Sequence, residues 1–275
     1  MFFALFLISV VAGIGGAILG LGGGIIIVPA LTLLLNLPIR FAIGASIVAV
    51  IATSSGAAAA YIRDNLTNLR IGIALEVMTT AGALCGAIVA GRVPPRWLYI
   101  TFGVLLAYSA FALLSRLKIE VPGDVPYDPL AARLRFQGEY YDQALGRRVP
   151  YAATGVINGG VMMYVAGLFS GLLGIGSGLF KVLAMDIAMR LPMKVSTSTS
   201  NFMVGVTAAA SAGVYFSRGD ILPVLAAPVA LGVLAGAWMG THVMEQLRNT
   251  TIRKLFIPVL AIVAVTMIYR GVRVP

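Results

Sequence analysis

The chain alternates between long apolar runs and short breaks marked by charge, glycine or proline. Five runs lie in the first half, at about 2–20, 25–36, 42–60, 71–91 and 97–114. Five more lie in the second, at about 152–173, 179–190, 197–216, 221–241 and 254–271. Such runs predict bilayer-spanning helices, because open strands leave backbone polar groups unsatisfied in lipid. A ~30 Å hydrocarbon core needs about 20 helical residues. The runs at 25–36 and 179–190 are shorter, with 12 residues each. Between the halves lies the only long polar stretch, 115–150, where Pro122, Pro126 and Pro129 interrupt any helix. It reads as a solvated linker with an ordered piece, and Arg135–Tyr140 suits a small hairpin.

The halves repeat each other. Shifting the sequence by 154 residues places Ala12–Tyr61 on Ala166–Tyr215 without a gap, with identities that include Gly20, Gly22, Gly24, Pro38, Ser46 and Tyr61. Matches at glycine, proline, serine and tyrosine exceed what shared apolar composition produces. The expected fold is therefore an all-α polytopic membrane protein made of two homologous repeats of about five helical segments. The second segment of each is short and preceded by a glycine break. Its divisions are 1–114 (first repeat), 115–150 (polar linker) and 151–275 (second repeat).

Composition supports the membrane reading. Hydrophobic residues make up 59% of the 275 and charged residues 11%, where soluble domains average about 25% charged. That disfavours a soluble enzyme, a nucleic-acid module or a disordered chain. The net charge of +10 would suggest nucleic acid in a soluble protein. Here the basic residues cluster in connections, as on the cytoplasmic side of membrane proteins. If all ten segments cross, the repeats are inverted, both termini lie outside, and the 20 basic residues divide 13 to 7 with the linker on the richer, cytoplasmic side. If the short segments re-enter, the division is a less asymmetric 11 to 9. The apolar N-terminal stretch lacks a basic n-region and reads as a retained helix rather than a signal peptide. A single cysteine, Cys85, and a single histidine, His242, leave no disulfide framework and no metal-site spacing. No cofactor is expected.

The candidate chemistry sits at the breaks. Gly22, Gly23 and Gly24 open the first short segment, and Gly176, Ser177 and Gly178 open the second. A broken helix is tolerated in lipid only where protein or an aqueous cavity meets its freed backbone groups. Equivalent breaks in both halves point to a transporter's central site, and the helix starts offer amides and a positive dipole to an anion. Close packing of small residues is the competing explanation. The small-residue stripes of Gly82, Gly86 and Ala90, and of Gly232, Gly236 and Gly240, read as packing alone.

Ser46 and Ser200 are equivalent, and Ser200 belongs to the cluster Ser196–Asn201, in which Ser198 and Asn201 are further donors suited to an oxyanion. These hydroxyls also suit bonds back to their own helix. Lys181 stands three residues after Gly178, where the first half has Ile27. An intramembrane lysine needs a cavity or a partner; an anion, Asp186 or snorkelling to the interface would answer that need. Glu76 is a candidate for carrying a coupling proton, although five residues into its run it is expected near the interface. No catalytic set or metal-ligand group appears.

The residues resemble the sulfite exporter TauE/SafE family. The resemblance rests on Gly171–Gly178, Leu191-Pro192-Met193-Lys194, Thr199–Met203 and Arg218–Ile221, together with Gly20–Gly24 and Val28-Pro29. It implies a multi-pass plasma-membrane permease that moves sulfite, sulfonates or related organic anions, usually outward. The expected function is thus a secondary transporter of a small anion, not an enzyme, working by alternating access of two repeats. The alternatives are an anion channel and a membrane-embedded enzyme or assembly factor. The expected partners are the anionic substrate and the lipid bilayer, with no nucleic acid; a homo-oligomer is compatible with the sequence.

Overall fold

The structure is a computed structural model that describes residues 2–19, 23–63, 66–115, 125–142, 145–246 and 249–273. The first half holds α1 (Phe2–Leu19), α2 (Gly24–Leu33), α3 (Ile39–Arg63), α4 (Leu69–Ala90) and α5 (Pro95–Ser115). Then come the short helix α6 (Pro129–Arg133) and an antiparallel hairpin of β1 (Gln137–Asp142) and β2 (Arg147–Ala152). The second half holds α7 (Val156–Leu173), α8 (Gly178–Leu183) continued by a wide π-turn (Ala184–Ala188), α9 (Met193–Ser217), α10 (Pro223–Gln246) and α11 (Asn249–Arg273).

Among the described residues, four stretches are long and apolar enough to cross a membrane: Ile39–Gly56, Leu69–Ala90, Val156–Leu173 and Pro223–Val243. Their surfaces fit that medium. On α4 the inner face carries Ile71, Leu75, Thr79, Gly82 and Gly86, while Ile73, Val77, Leu84 and Ile88 are exposed. A water-soluble helix would place polar residues on that outer face.

Glycine stripes join helices of opposite halves. On α1 and α10, a methyl added at Gly13 would come within 2.4 Å of the Val233 carbonyl, and one at Gly236 within 2.1 Å of the Val10 carbonyl. On α4 and α7, one at Gly167 would reach the Thr79 carbonyl at 2.0 Å and one at Gly171 the Ala83 carbonyl at 1.9 Å. Only glycine permits such backbone approach. Both pairs run parallel, since Gly82 meets Tyr164 while Gly86 meets Leu168, and Gly232 meets Phe6 while Gly240 meets Ile14. In contrast, α5 and α11 run antiparallel: Gly103 meets Ala264, and Gly271 meets Tyr99.

The short segments close alike. Asn36 and Arg190, at equivalent positions, adopt φ of 52° and 54°. Leu37 N then donates to Leu31 O (3.2 Å), and Leu191 N to Met185 O (2.9 Å). Pro38 and Pro192 follow; proline disfavours helix in the residue before it and starts the next helix well. The second short segment is not the plain helix expected over 179–190, because Met189 N bonds the carbonyl of Ala184, five residues back.

The hairpin is longer than the stretch Arg135–Tyr140 suggested and delays the next helix to Val156. Its strands alternate, as one buried face requires: Tyr140, Asp142 and Val149 point inward, whereas Glu139 and Arg148 form an exposed ion pair. Asp128 ties this region to α7. Its Oδ1 accepts from Leu130 N (2.9 Å) and Ala131 N (3.3 Å), and its Oδ2 from Val156 N (3.1 Å). These donors, Val156 foremost, hold its carboxyl below the ordinary range against partial desolvation.

Two outcomes follow from this packing and capping. Gly171→Leu should force α7 off α4 and lower stability in detergent by about 1–3 kcal/mol or more. Gly213→Ala, inside α9 with nothing within 4 Å of the added methyl, should instead raise stability by about 0.5–1 kcal/mol through the lost backbone freedom of glycine. Because the folded pKa of Asp128 is depressed, its stabilisation is complete above the ordinary value of about 3.9 and fades as pH falls through the folded value. Asp128→Ala should cost about 1 kcal/mol at pH 7 and speed exchange of the Val156 amide. Its difference from the parent should shrink as pH drops below 4.

Candidate functional site

The two glycine breaks meet at the centre of the molecule. Gly23, which precedes α2, has φ of 73°, and in the second half Gly174, Ser177 and Gly176 have φ of 63°, 53° and 70°. Ser177 occupies the place of Gly23 and holds a left-handed conformation that costs a non-glycine residue about 1–2 kcal/mol. A Cβ at Gly24 would lie 2.7 Å from Ser46 Oγ and 3.0 Å from Ile175 Cα, and one at Gly176 would strike Val50 and Val204. The first break therefore lies directly against the second, with α3 and α9 beside them. Gly22 lies outside the described residues.

The expected donors converge unequally. Ser46 Oγ donates to the Gly174 carbonyl (2.9 Å), an acceptor freed where α7 ends, and Ser200 Oγ to that of Gly178 (3.0 Å), the first residue of α8. Asn201 Nδ2 donates to the Ala17 carbonyl (3.1 Å), and Ser54 donates to the carbonyl of Asn201. The Asn201 Oδ1 is buried with no partner among the described residues. Ser198 points elsewhere, toward the Leu66 carbonyl at 2.7 Å. All four residues are fully buried.

Lys181 is also fully buried, and its partner is neither Asp186 nor the interface. Its Nζ lies 3.2 Å from Glu76 Oε2 and donates to Thr207 Oγ1. Glu76 sits two turns into α4 because that helix begins at Leu69, earlier than the apolar run suggested, and it is buried rather than interfacial. Its carboxylate also accepts from Thr79 Oγ1 (3.0 Å), Thr80 Oγ1 (2.9 Å) and Thr207 Oγ1. One carboxylate thus joins α4, α8 and α9. Thr79 and Thr80 follow Glu76 at i+3 and i+4, a spacing legible in the sequence but unused; Thr207 carried no local signal.

The cluster belongs to one half only. The positions equivalent to Lys181 and Thr207 hold Ile27 and Thr53, and that of Glu76 holds Ala226. Thr53 merely bonds back to the Ala49 carbonyl (2.9 Å). One open space reaches this cluster, and another lies near the C-terminal end of α4. A groove of about 520 Å³ between α4 and α9 reaches Glu76 and Thr80, past Ile73, Val77, Phe202 and Val206. A smaller cavity of about 280 Å³ is lined by Arg40, Ile43, Gly91, Tyr215, Arg218 and Asp220. There Arg218 stacks 4.4 Å over the Tyr215 ring and lies 3.2 Å from Asp220.

Residues 5–267 match the model of the family described as Sulfite exporter TauE/SafE. The chain belongs to the TauE/SafE family. Among its relatives is the probable membrane transporter protein YunE of Bacillus subtilis (strain 168), 25% identical over 278 residues and covering 98% of each chain. YdhB of the same organism, also a probable membrane transporter protein, is 25% identical over 96% of this chain and 98% of its own. The probable membrane transporter protein ORF9 of Sinorhizobium sp is 27% identical over 97% of this chain and 90% of its own. No solved structure matches. The TauE/SafE protein is accordingly an integral membrane protein of a transporter family, not an enzyme.

Removing one partner of a buried pair strands the other charge at about 3–5 kcal/mol, whereas replacing both by apolar residues is often neutral. Lys181→Met should therefore sharply destabilise the TauE/SafE protein in detergent. The double variant Lys181→Met/Glu76→Met should regain at least half of that loss in chemical unfolding, since Thr79 and Thr207 can fall back on the carbonyls of Leu75 and Met203.

Proposed function

We propose that the protein is a secondary permease moving a small anion, such as sulfite, an organosulfonate or a related organic anion, across the plasma membrane. Its two halves act as inverted five-helix repeats that alternate access to a site between them. The observation that carries this reading is the buried Lys181, held on a short segment beside two mutually touching helix breaks. An intramembrane cation that costs several kcal/mol to insert marks a site where an anion is needed.

Helix directions support the inverted arrangement. With five crossings per half and opposite starts, the first helix of each half runs parallel to the fourth of the other, and the two last helices run antiparallel. Those are the directions of α1 and α10, α7 and α4, and α5 and α11. With that count the linker 115–150 lies opposite the termini, and the excess of basic residues on its side favours the cytoplasm.

The binding site in this reading is lined by Gly22, Gly23, Gly24, Ser46, Gly176, Ser177, Gly178, Lys181, Ser198, Ser200 and Asn201. Asn201 Oδ1, although an acceptor, belongs to an amide whose rotation would present a donor. Most of the hydroxyls now bond carbonyls of the breaks, which corresponds to a closed site whose donors turn to the substrate as the breaks separate. Lys181 neutralises one anion at a time, so Glu76 and substrate compete for it. Protonating Glu76 releases Lys181 to the substrate, which makes Glu76 the coupling group. An ion or substrate gradient supplies the driving force, and the family description favours the outward direction.

Proteoliposomes should take up labelled sulfite or a labelled sulfonate saturably, and Lys181→Ala or Gly176→Leu should abolish uptake. Both variants transporting at the parent rate would defeat the site assignment. Glu76→Gln, which takes away the carboxylate that faces Lys181, should uncouple uptake from an imposed ion gradient while leaving downhill exchange of the labelled anion.

A further inference from the structure

Arg40 and Lys194 hold the same place in the two halves, each two residues after the Leu-Pro that closes a short segment. Their surroundings differ. Arg40 is exposed and lines the 280 Å³ cavity beside Arg218. Lys194 is 2% exposed, and its Nζ lies 3.0 Å from Oδ1 of Asp142, at the end of β1. Asp142 is equally buried and is held in place by Tyr140 OH (3.2 Å to Oδ2) and Leu145 N (3.2 Å to Oδ1).

Both cations stand at the head of a helix face that leads to the breaks. On α3 the face runs from Arg40 past Ile43, which packs on Gly174, to Val50 against Gly176. On α9 the equivalent face runs from Lys194 past Thr197 and Ser200 to Val204, which meets Gly176 from the other end. One face begins in an open cavity and the other under the hairpin. On the turn of α9 that follows Lys194, Ser196 Oγ and Thr197 Oγ1 are buried with no partner among the described residues. A wall built only for packing would not hold two unmatched hydroxyls there, because each costs about 1–3 kcal/mol.

We propose that Lys194 is the anion-docking cation of a second vestibule, that Asp142 occupies it as a tethered stand-in for a small oxyanion, and that the β1–β2 hairpin is the stopper of that end. The proposal rests on the anion-transporter reading. A substrate oxyanion that replaces the Asp142 carboxylate leaves the charge of Lys194 paired while the hairpin lifts. Tyr140 and Val149, buried on the hairpin's inner face, draw it back once the anion has passed, because their apolar surface is exposed only while the stopper is open. Asp142 and substrate are thus alternatives at one site.

The test is thiol access in reconstituted protein. With Cys85→Ser as background, Thr197→Cys should react slowly with an impermeant methanethiosulfonate reagent from the linker side. Adding Asp142→Asn should speed the reaction at least about tenfold, since it removes the carboxylate that faces Lys194 and so favours release, and 10 mM methanesulfonate should slow it again. Lys194→Gln should also speed labelling but abolish protection by methanesulfonate. Unchanged reactivity in both variants, with thermal unfolding above the assay temperature, would overturn the proposal. So would faster labelling that methanesulfonate never slows with Lys194 present. The readout needs no transport: vesicles that move no labelled sulfonate yet show the full labelling pattern refute the transporter reading and leave the stopper standing.

Discussion

A helix interrupted inside a bilayer leaves carbonyls and amides that water cannot reach, so something in the protein must meet them. In this molecule the partners cross between the halves. Ser46 of the first half bonds the carbonyl of Gly174 in the second, and Asn201 of the second half bonds that of Ala17 in the first. The centre is therefore held by side-chain-to-backbone bonds and close glycine contacts set within an apolar core that includes Ile25, Val28, Val50, Ile175 and Val204. Such bonds can exchange one acceptor for another without exposing much apolar area. A core of interlocked leucines offers no comparable freedom.

The polar cluster of Lys181, Glu76 and Thr207 breaks the likeness of the halves at one point. Buried ion pairs are seldom the most stable solution, because desolvation offsets most of the Coulomb attraction. Their retention needs a further reason, and proximity to the breaks provides one. The carboxylate faces two environments: it accepts from three threonines and the lysine inside, and it also lines the lateral groove beside Phe202.

Much of this was legible before any coordinates. The duplicated glycine motifs gave the positions of the short segments, since glycine runs and Leu-Pro pairs act through local backbone rules. Equivalent left-handed closures at Asn36 and Arg190 express those same rules. Pairings between distant helices were not legible. Nothing near Lys181 in sequence points to Glu76, 105 residues away, and Asp186, the nearer acid, stands at i+5, a poor place on the same helix face. The start of α4 was misplaced because polar Asn68, whose side chain accepts from Ile71 N as a cap, reads in composition as loop. The hairpin's second strand was hidden because Arg147–Ala152 includes Pro150, which a two-stranded edge tolerates.

The glycine contacts also bear on mechanics. The backbones of α1 and α10 touch along their shared length, as do those of α4 and α7, and each pair takes one helix from either half. Because the two sequence halves are keyed together at carbonyl distance, alternation of access between the repeats has to carry these mixed pairs along instead of prising them apart. Any swing that uncovers the centre must carry these mixed pairs intact, and between α3 and α9 it must also exchange the bond from Ser54 to the Asn201 carbonyl.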